Sequence, residues 1–320
     1  MAATALADRK LEDQITIMTK ATTAADWLRG DFRLRAAMAL TALVASFAVA
    51  LPANADELAT QWVEGHNVRT RLLAGHATAS DADGALSRKS LVAGLEMQLS
   101  PGWKTYWRTP GDAGGVPPEF DWSGSGNLKE ARVHYPAPRR MTDSTGNTIG
   151  YKENVLFPIF VEPQDAGKPV TLKLRLAFGI CHDICVPSET SYEITLPALG
   201  ETPHAPAIAS ALSRVPLRDN GSANKLPRLL KVESTLDGPH PKVSLQVAFP
   251  NGQAGADVFV EGPPGEFVPL PSAKGTVGGG ALLFEIDLTQ GADVSALKGK
   301  ALRATMVSAG GHSEAEFVLK

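Results

Sequence analysis

The strongest constraint in this chain is an alternation of period two. Val170, Leu172, Leu174, Leu176 and Phe178 alternate with Thr171, Lys173, Arg175 and Ala177. Successive side chains of an extended chain point to opposite faces, so this segment predicts a strand with one face on a core and one toward water. The period recurs in Val243-Leu245-Val247-Phe249, in Leu282-Phe284-Ile286-Leu288 and in Ala315-Phe317-Leu319. Further strands are expected near 67–79, 88–99, 129–135, 155–161 and 190–197. Turn-rich gaps at 109–118, 123–127, 142–148 and 274–280 separate them. With 30 glycines and 23 prolines to supply turns, the pattern predicts an all-β fold of antiparallel β-sandwiches rather than a helical bundle.

One segment departs from this period. His204–Val215 is alanine-rich and places Ile208, Leu212 and Val215 at helical spacing. The polar, turn-rich stretch 216–226 follows and reads as a linker. The expected organisation is a leader and signal peptide at 1–55, a first sandwich at 56–200, a short helix and linker at 201–226, and a second sandwich at 227–320. The second sandwich has no cysteine and no clustered titratable set, and reads as a structural or docking module.

The N-terminal region carries an export signal. Arg29, Arg33 and Arg35 precede the apolar run Ala36–Leu51, and Pro52-Ala53-Asn54-Ala55 supplies an A-x-A site before Asp56. A positive flank, a short apolar core and a small-residue exit define a secretory signal peptide, with cleavage expected after Ala55. The run is short of the ~20 residues needed to span a bilayer. The first 28 residues are long for such a flank, and Met18 is an alternative start. The mature protein is expected to be soluble and periplasmic, in a compartment where cysteine pairs oxidise. A net charge of -3 gives no sign of a nucleic-acid partner.

The chain has two cysteines, in Gly179-Ile180-Cys181-His182-Asp183-Ile184-Cys185-Val186-Pro187. Two residues four apart in an extended strand lie ~13 Å apart, whereas a disulfide needs Cα atoms ~4.4–6.8 Å apart. Oxidation of the pair therefore requires a turn between them. Gly179 is expected to permit the turn, and Pro187 to return the chain to extended geometry. The leading reading is a redox-active dithiol, with His182 able to favour the thiolate and Asp183 opposing it. A structural staple is a second reading, although a loop this short contributes only about 2 kcal/mol in the chain-entropy model. Metal binding by Cys181, Cys185 and His182, as in a copper chaperone, is a third. Attachment of c-type haem needs C-x-x-C-H and is excluded by the spacing. No cofactor is called for.

A wider set of motifs accompanies the pair: P-G-W-x-x-Y-W at 101–107, Y-P-A-P at 135–138, and G-Y-x-x-x-x-L-F-P at 150–158. Together with C-x-x-x-C-x-P, these resemble the periplasmic N-terminal domain of the thiol:disulfide interchange protein DsbD and its ScsB-like relatives, over about 60–200. The resemblance implies immunoglobulin-like sandwiches and an exchanging pair at Cys181 and Cys185, with Cys185 forming the mixed disulfide. It implies electron flow from a membrane-embedded thiol reductase to periplasmic thioredoxin-like or disulfide isomerase-like proteins. It also points to Met141–Tyr151 as a lid, with Tyr151 shielding the sulfurs. The chain spaces its cysteines more closely than DsbD does, and it carries neither a reductase nor a thioredoxin segment. An alternative function is a periplasmic copper-binding chaperone or tolerance protein using the same cysteines.

Trp103, Tyr106 and Trp107 are expected to pack in the core or to line a partner groove. The scattered histidines His66, His76, His134, His204, His240 and His312 show no ligand spacing. Asp112, Glu119 and Asp121 read as solvated loop carboxylates.

Overall fold

The computed structural model describes residues 58–78, 89–144, 146–198, 200, 203–219 and 225–320. The leader, the export signal and the cleavage point after Ala55 lie outside the described residues. Strands β1 (Val63–Gly65), β2 (Val68–Thr78), β3 (Lys89–Leu99), β4 (Lys104–Tyr106), β5 (Glu119–Asp121), β6 (Leu128–Val133), β7 (Arg139–Asp143), β8 (Gly146–Lys152), β9 (Asn154–Pro163), β10 (Val170–Cys181) and β11 (Cys185–Leu196) build a first sandwich. One sheet has the order β1-β2-β3-β9-β6 and the other β11-β10-β4-β8-β7, with β5 also paired to β10.

Helix α1 (Ala205–Leu212) follows. A second sandwich contains β12 (Leu217–Arg218), β13 (Arg228–Thr235), β14 (Lys242–Ala248), β15 (Asp257–Glu261), β16 (Ser272–Val277), β17 (Ala281–Asp287), β18 (Ala301–Ser308) and β19 (Gly311–Val318), with the short helix α2 (Val294–Leu297) before β18. Its sheets have the orders β12-β19-β18-β15 and β13-β14-β17-β16. The fold is all-β, as the alternation predicts, and immunoglobulin-like, as the family resemblance implies.

The alternation in β10 works as expected: Val170, Leu172, Leu174, Leu176 and Phe178 are buried in the first core, and Lys173 and Arg175 face water. By contrast β9 is buried continuously from Val155 to Val161. The cause is α1, whose Ile208 and Ala211 pack with Leu73, Val92, Leu156 and Phe160 on the outer face of this sheet. A strand covered on both faces shows an unbroken apolar run. The helix read as part of a linker is thus a packed layer on the first sandwich.

The two sandwiches also touch. Trp107 of the first meets Phe259 of the second, with ring centroids 5.9 Å apart. Arg108 forms ion pairs with Glu261 at 2.7 Å and Glu314 at 2.5 Å, and Arg140 pairs with Asp257 at 2.8 Å.

Candidate functional site

Strands β10 and β11 form a long antiparallel hairpin, and its last ladder pair is Cys181 opposite Cys185. Directly opposed residues of an antiparallel pair have Cα atoms ~4.5–5.5 Å apart, inside the window for a disulfide. The turn is made by His182, Asp183 and Ile184 alone. Both cysteines are free thiols, with Sγ atoms 2.7 Å apart. Cys181 is buried and Cys185 is exposed. Cys185 is therefore the more accessible residue of the two.

Gly179 and Pro187 do not shape the turn, contrary to the sequence expectation. They face each other in the ladder, well inside the strands. Glycine is needed at 179 because a Cβ there would lie 2.9 Å from Val116 and 3.1 Å from the Tyr106 ring. Pro187 sits on β11, which is an edge strand, where a missing N–H donor is tolerated.

The aromatic cluster at 103–107 divides three ways. Trp107 is wholly buried in the first core. Trp103 packs between His66 and His182, at centroid distances of 5.1 and 5.8 Å. Tyr106 reaches the sulfurs: its hydroxyl lies 2.9 Å from Cys185 Sγ. Gly115 closes over its ring, and a Cβ at that position would come within 2.1 Å of it. Burial, and then hydrogen bonding to the two cysteines, holds the Tyr106 phenol well above its ordinary pKa. It stays protonated and can donate to a thiolate. Sequence reasoning gave this residue a place in the core or a partner groove but did not link it to the sulfurs, and the one signal for that link was the co-occurrence of P-G-W-x-x-Y-W with the cysteine motif.

Tyr151 does not shield the pair. Its ring packs on Phe157 in the core, and its hydroxyl donates to the Pro136 carbonyl at 2.8 Å. It sits in β8 opposite Thr105 of β4, so a whole strand separates it from β10. Met141–Tyr151, read as a lid, is most of the β7–β8 hairpin. Near the tip of this hairpin, Asp143 accepts a 2.5 Å hydrogen bond from Lys104 Nζ, and Lys104 lies directly opposite Cys181 in the β4–β10 ladder. The loop carboxylate Asp112 pins the 109–118 loop to the same hairpin by accepting from Asn147 N and Nδ2, at 2.7 and 3.0 Å.

Electrostatically, the Cys181 thiol is held above its ordinary pKa. Burial is the main cause, and the hydrogen bond to Cys185 adds to it. The Tyr106 hydrogen bond and the charge of Lys104 pull the other way. His182 turns its Nδ1 to Asp183 Oδ2 at 2.9 Å. Among the described residues, no three His, Cys, Asp or Glu side chains are grouped so as to hold a metal ion.

Two thiols opposed at a hairpin end, the outer residue more accessible than the inner, have the geometry to close a disulfide. Residues 71–197 match the family model described as thiol:disulfide interchange protein DsbD, N-terminal, and form a DsbD N-terminal-like domain. The fold is shared with the N-terminal periplasmic domain of ScsB from Proteus mirabilis, at 24% identity and a TM-score of 0.61, over 82% of this chain and 99% of that one. The reduced N-terminal domain of DsbD from Neisseria meningitidis is 15% identical over 41% of this chain and 86% of that one, with a TM-score of 0.22. No curated protein sequence matches the chain. Among the described residues, no helix is long and apolar enough to cross a membrane.

Proposed function

We propose that this chain is a periplasmic dithiol/disulfide relay protein. It takes electrons from a membrane-embedded thiol reductase and passes them to oxidised thioredoxin-like or disulfide isomerase-like proteins. The observation that carries this reading is the direct opposition of an exposed Cys185 and a buried Cys181 across one ladder position.

The exchange proceeds in two balanced steps. The Cys185 thiolate attacks one sulfur of the partner disulfide. A Cys185–partner bond forms, the partner S–S bond breaks, and the departing partner thiolate takes a proton. Cys181 then gives up its proton and attacks Cys185 Sγ. The mixed disulfide breaks, the second partner sulfur leaves as a thiolate and is protonated, and Cys181–Cys185 closes. Two electrons and two protons have passed to the partner, and the reductase restores the dithiol. The Tyr106 hydroxyl serves by donating to Cys185 Sγ whenever that sulfur carries charge.

The protein is exported by the signal at 1–55 and released after Ala55 on this reading, so that N-terminal sequencing of the mature form starts at Asp56. The test of the relay is a pair of variants. Cys181→Ala, incubated with an oxidised thioredoxin-like protein, accumulates a mixed disulfide through Cys185, whereas Cys185→Ala does not. A midpoint potential below about -300 mV, typical of a resistant structural bond, would sink the proposal.

A further inference from the structure

The motif Tyr135-Pro136-Ala137-Pro138-Arg139-Arg140 has a second half that the cysteine site does not use. Its two arginines separate. Arg140 is committed to Asp257 of the second sandwich. Arg139, the first residue of β7, is exposed and lines a cleft of about 500 Å³. Cavities that take small molecules measure roughly 300–1,000 Å³.

The cleft lies where three parts of the fold meet: the β7–β8 region of the first sandwich, the segment that leaves α1, and the β18–β19 turn of the second sandwich. Each part brings a basic or imidazole group to it. Arg139 and Lys152 come from the first sandwich, Arg214 from the segment after α1, and His312 from β19. No aspartate or glutamate lines the cleft, and Glu153, next to Lys152 in the chain, is not among its walls. Elsewhere most basic side chains are paired, as in Arg71–Glu96, Lys129–Glu162 and Lys242–Glu285. No ion pair joins Arg139, Lys152 or Arg214 to any carboxylate among the described residues.

His312 also lines the cleft. Ala254, Gly255 and Ala309 also line the cleft and bring no bulky side chain to it. The imidazole also senses the local field. Burial first, and the positive charge of Arg214 second, hold its pKa below the ordinary histidine value.

We propose that this cleft is a binding site for a small organic or inorganic polyanion, a molecule carrying two or more phosphate or carboxylate groups. Arg139, Lys152 and Arg214 bind its charged oxygens, and His312 forms part of the wall beside them. Three cations that approach from separate elements suit a ligand with spaced charges better than a single monovalent ion. Guanidinium forks give two such contacts in a fixed geometry that a lone ammonium does not. The site is independent of the cysteine chemistry, since none of its groups touches either sulfur.

The test is calorimetric titration of the whole mature protein with pyrophosphate and with citrate, inorganic phosphate serving as the single-group comparison. Saturable one-to-one binding of pyrophosphate or citrate is expected, tighter than that of phosphate. Which of the two binds more tightly assigns the ligand to the phosphate or the carboxylate class. The double variant Arg139→Ala/Arg214→Ala should weaken binding at least about tenfold while its thermal unfolding stays cooperative. Lys129→Ala, on β6 and paired with Glu162 outside the cleft lining, should leave binding unchanged. Occupancy should also shift the His312 ring resonances. A variant with both cysteines replaced by serine should bind as well as the native chain, which separates this site from the relay reading. Absence of saturable binding of either polyanion, or equal affinity in the double variant, overturns the proposal.

Discussion

The four tyrosines of the chain share a property: the fold raises the pKa of each phenol, in every case chiefly by burial. For Tyr135 the rise reaches about 12. The sign of the consequence follows from proton linkage. Below pH ~10 the phenols are neutral in folded and unfolded chains alike, and the full stability is present. Above that pH the unfolded chain loses protons that the folded chain keeps, so stability falls as pH rises. Alkaline unfolding is therefore expected to set in above about pH 10 and to be cooperative. Absorbance at 295 nm should show tyrosinate only as the fold is lost, and early, gradual titration of all four would contradict the burial described here. At this scale the two cysteines were legible because, at their spacing, a bond between them requires a turn. Tyr106 was not. Strand β4 is three residues long, too short for a period to show which side of it faces the sulfurs. Tyr151 misled because it lies in the loop-like motif that the family resemblance singled out, while its hydroxyl is spent on Pro136.

At the scale of elements, the β10–β11 hairpin sets how much the redox state can matter to folding. The loop closed by Cys181 and Cys185 is about five residues long, which corresponds to about 2 kcal/mol of chain entropy. That converts to a melting shift of roughly 4–8 °C for a protein of this size. Oxidised and reduced forms should thus differ by only that much in calorimetry, and both should be folded. The 109–118 loop is held more tightly by sterics. Gly115 has a φ of 149°, and its backbone runs against the Tyr106 ring. Gly115→Ala should displace either the loop or the ring. We expect a loss of about 1–3 kcal/mol, as for overpacking of a filled core, read by urea unfolding, together with faster alkylation of Cys185 by iodoacetamide. The alternation in β10 and β14 made these strands plain in the sequence. The burial of β9 on both faces needed α1 in place, and nothing in a run of apolar residues says what covers its second side.

At the scale of the whole molecule, the junction between the sandwiches rests on Arg108. Its guanidinium spans Glu261 and Glu314, lies 4.2 Å over the Trp107 ring, and is mostly shielded from water. Burial alone would lower its pKa, but the hydrogen bond and charge of Glu261, followed by those of Glu314, raise it overall. Removing it leaves two partly buried carboxylates facing each other. Arg108→Ala should cost about 3 kcal/mol, and unfolding should split into two transitions in denaturant if the junction is what couples the sandwiches. A single unshifted transition would show that the apolar contact of Trp107 with Phe259 suffices. None of these cross-sandwich pairs could be read from the chain, because their members are more than a hundred positions apart.

The place of β11 at the rim of its sheet bears on how encounters with other proteins end. An open rim invites a foreign strand to add on through main-chain bonds, and such unions are slow to part. Pro187, two positions beyond Cys185, removes one of the amide donors that this kind of annexation would use. A visitor reaching the outer sulfur is therefore met by side chains instead of a ready backbone template. A carrier that must release each client before serving the next has reason to discourage lasting attachment beside its reactive atom.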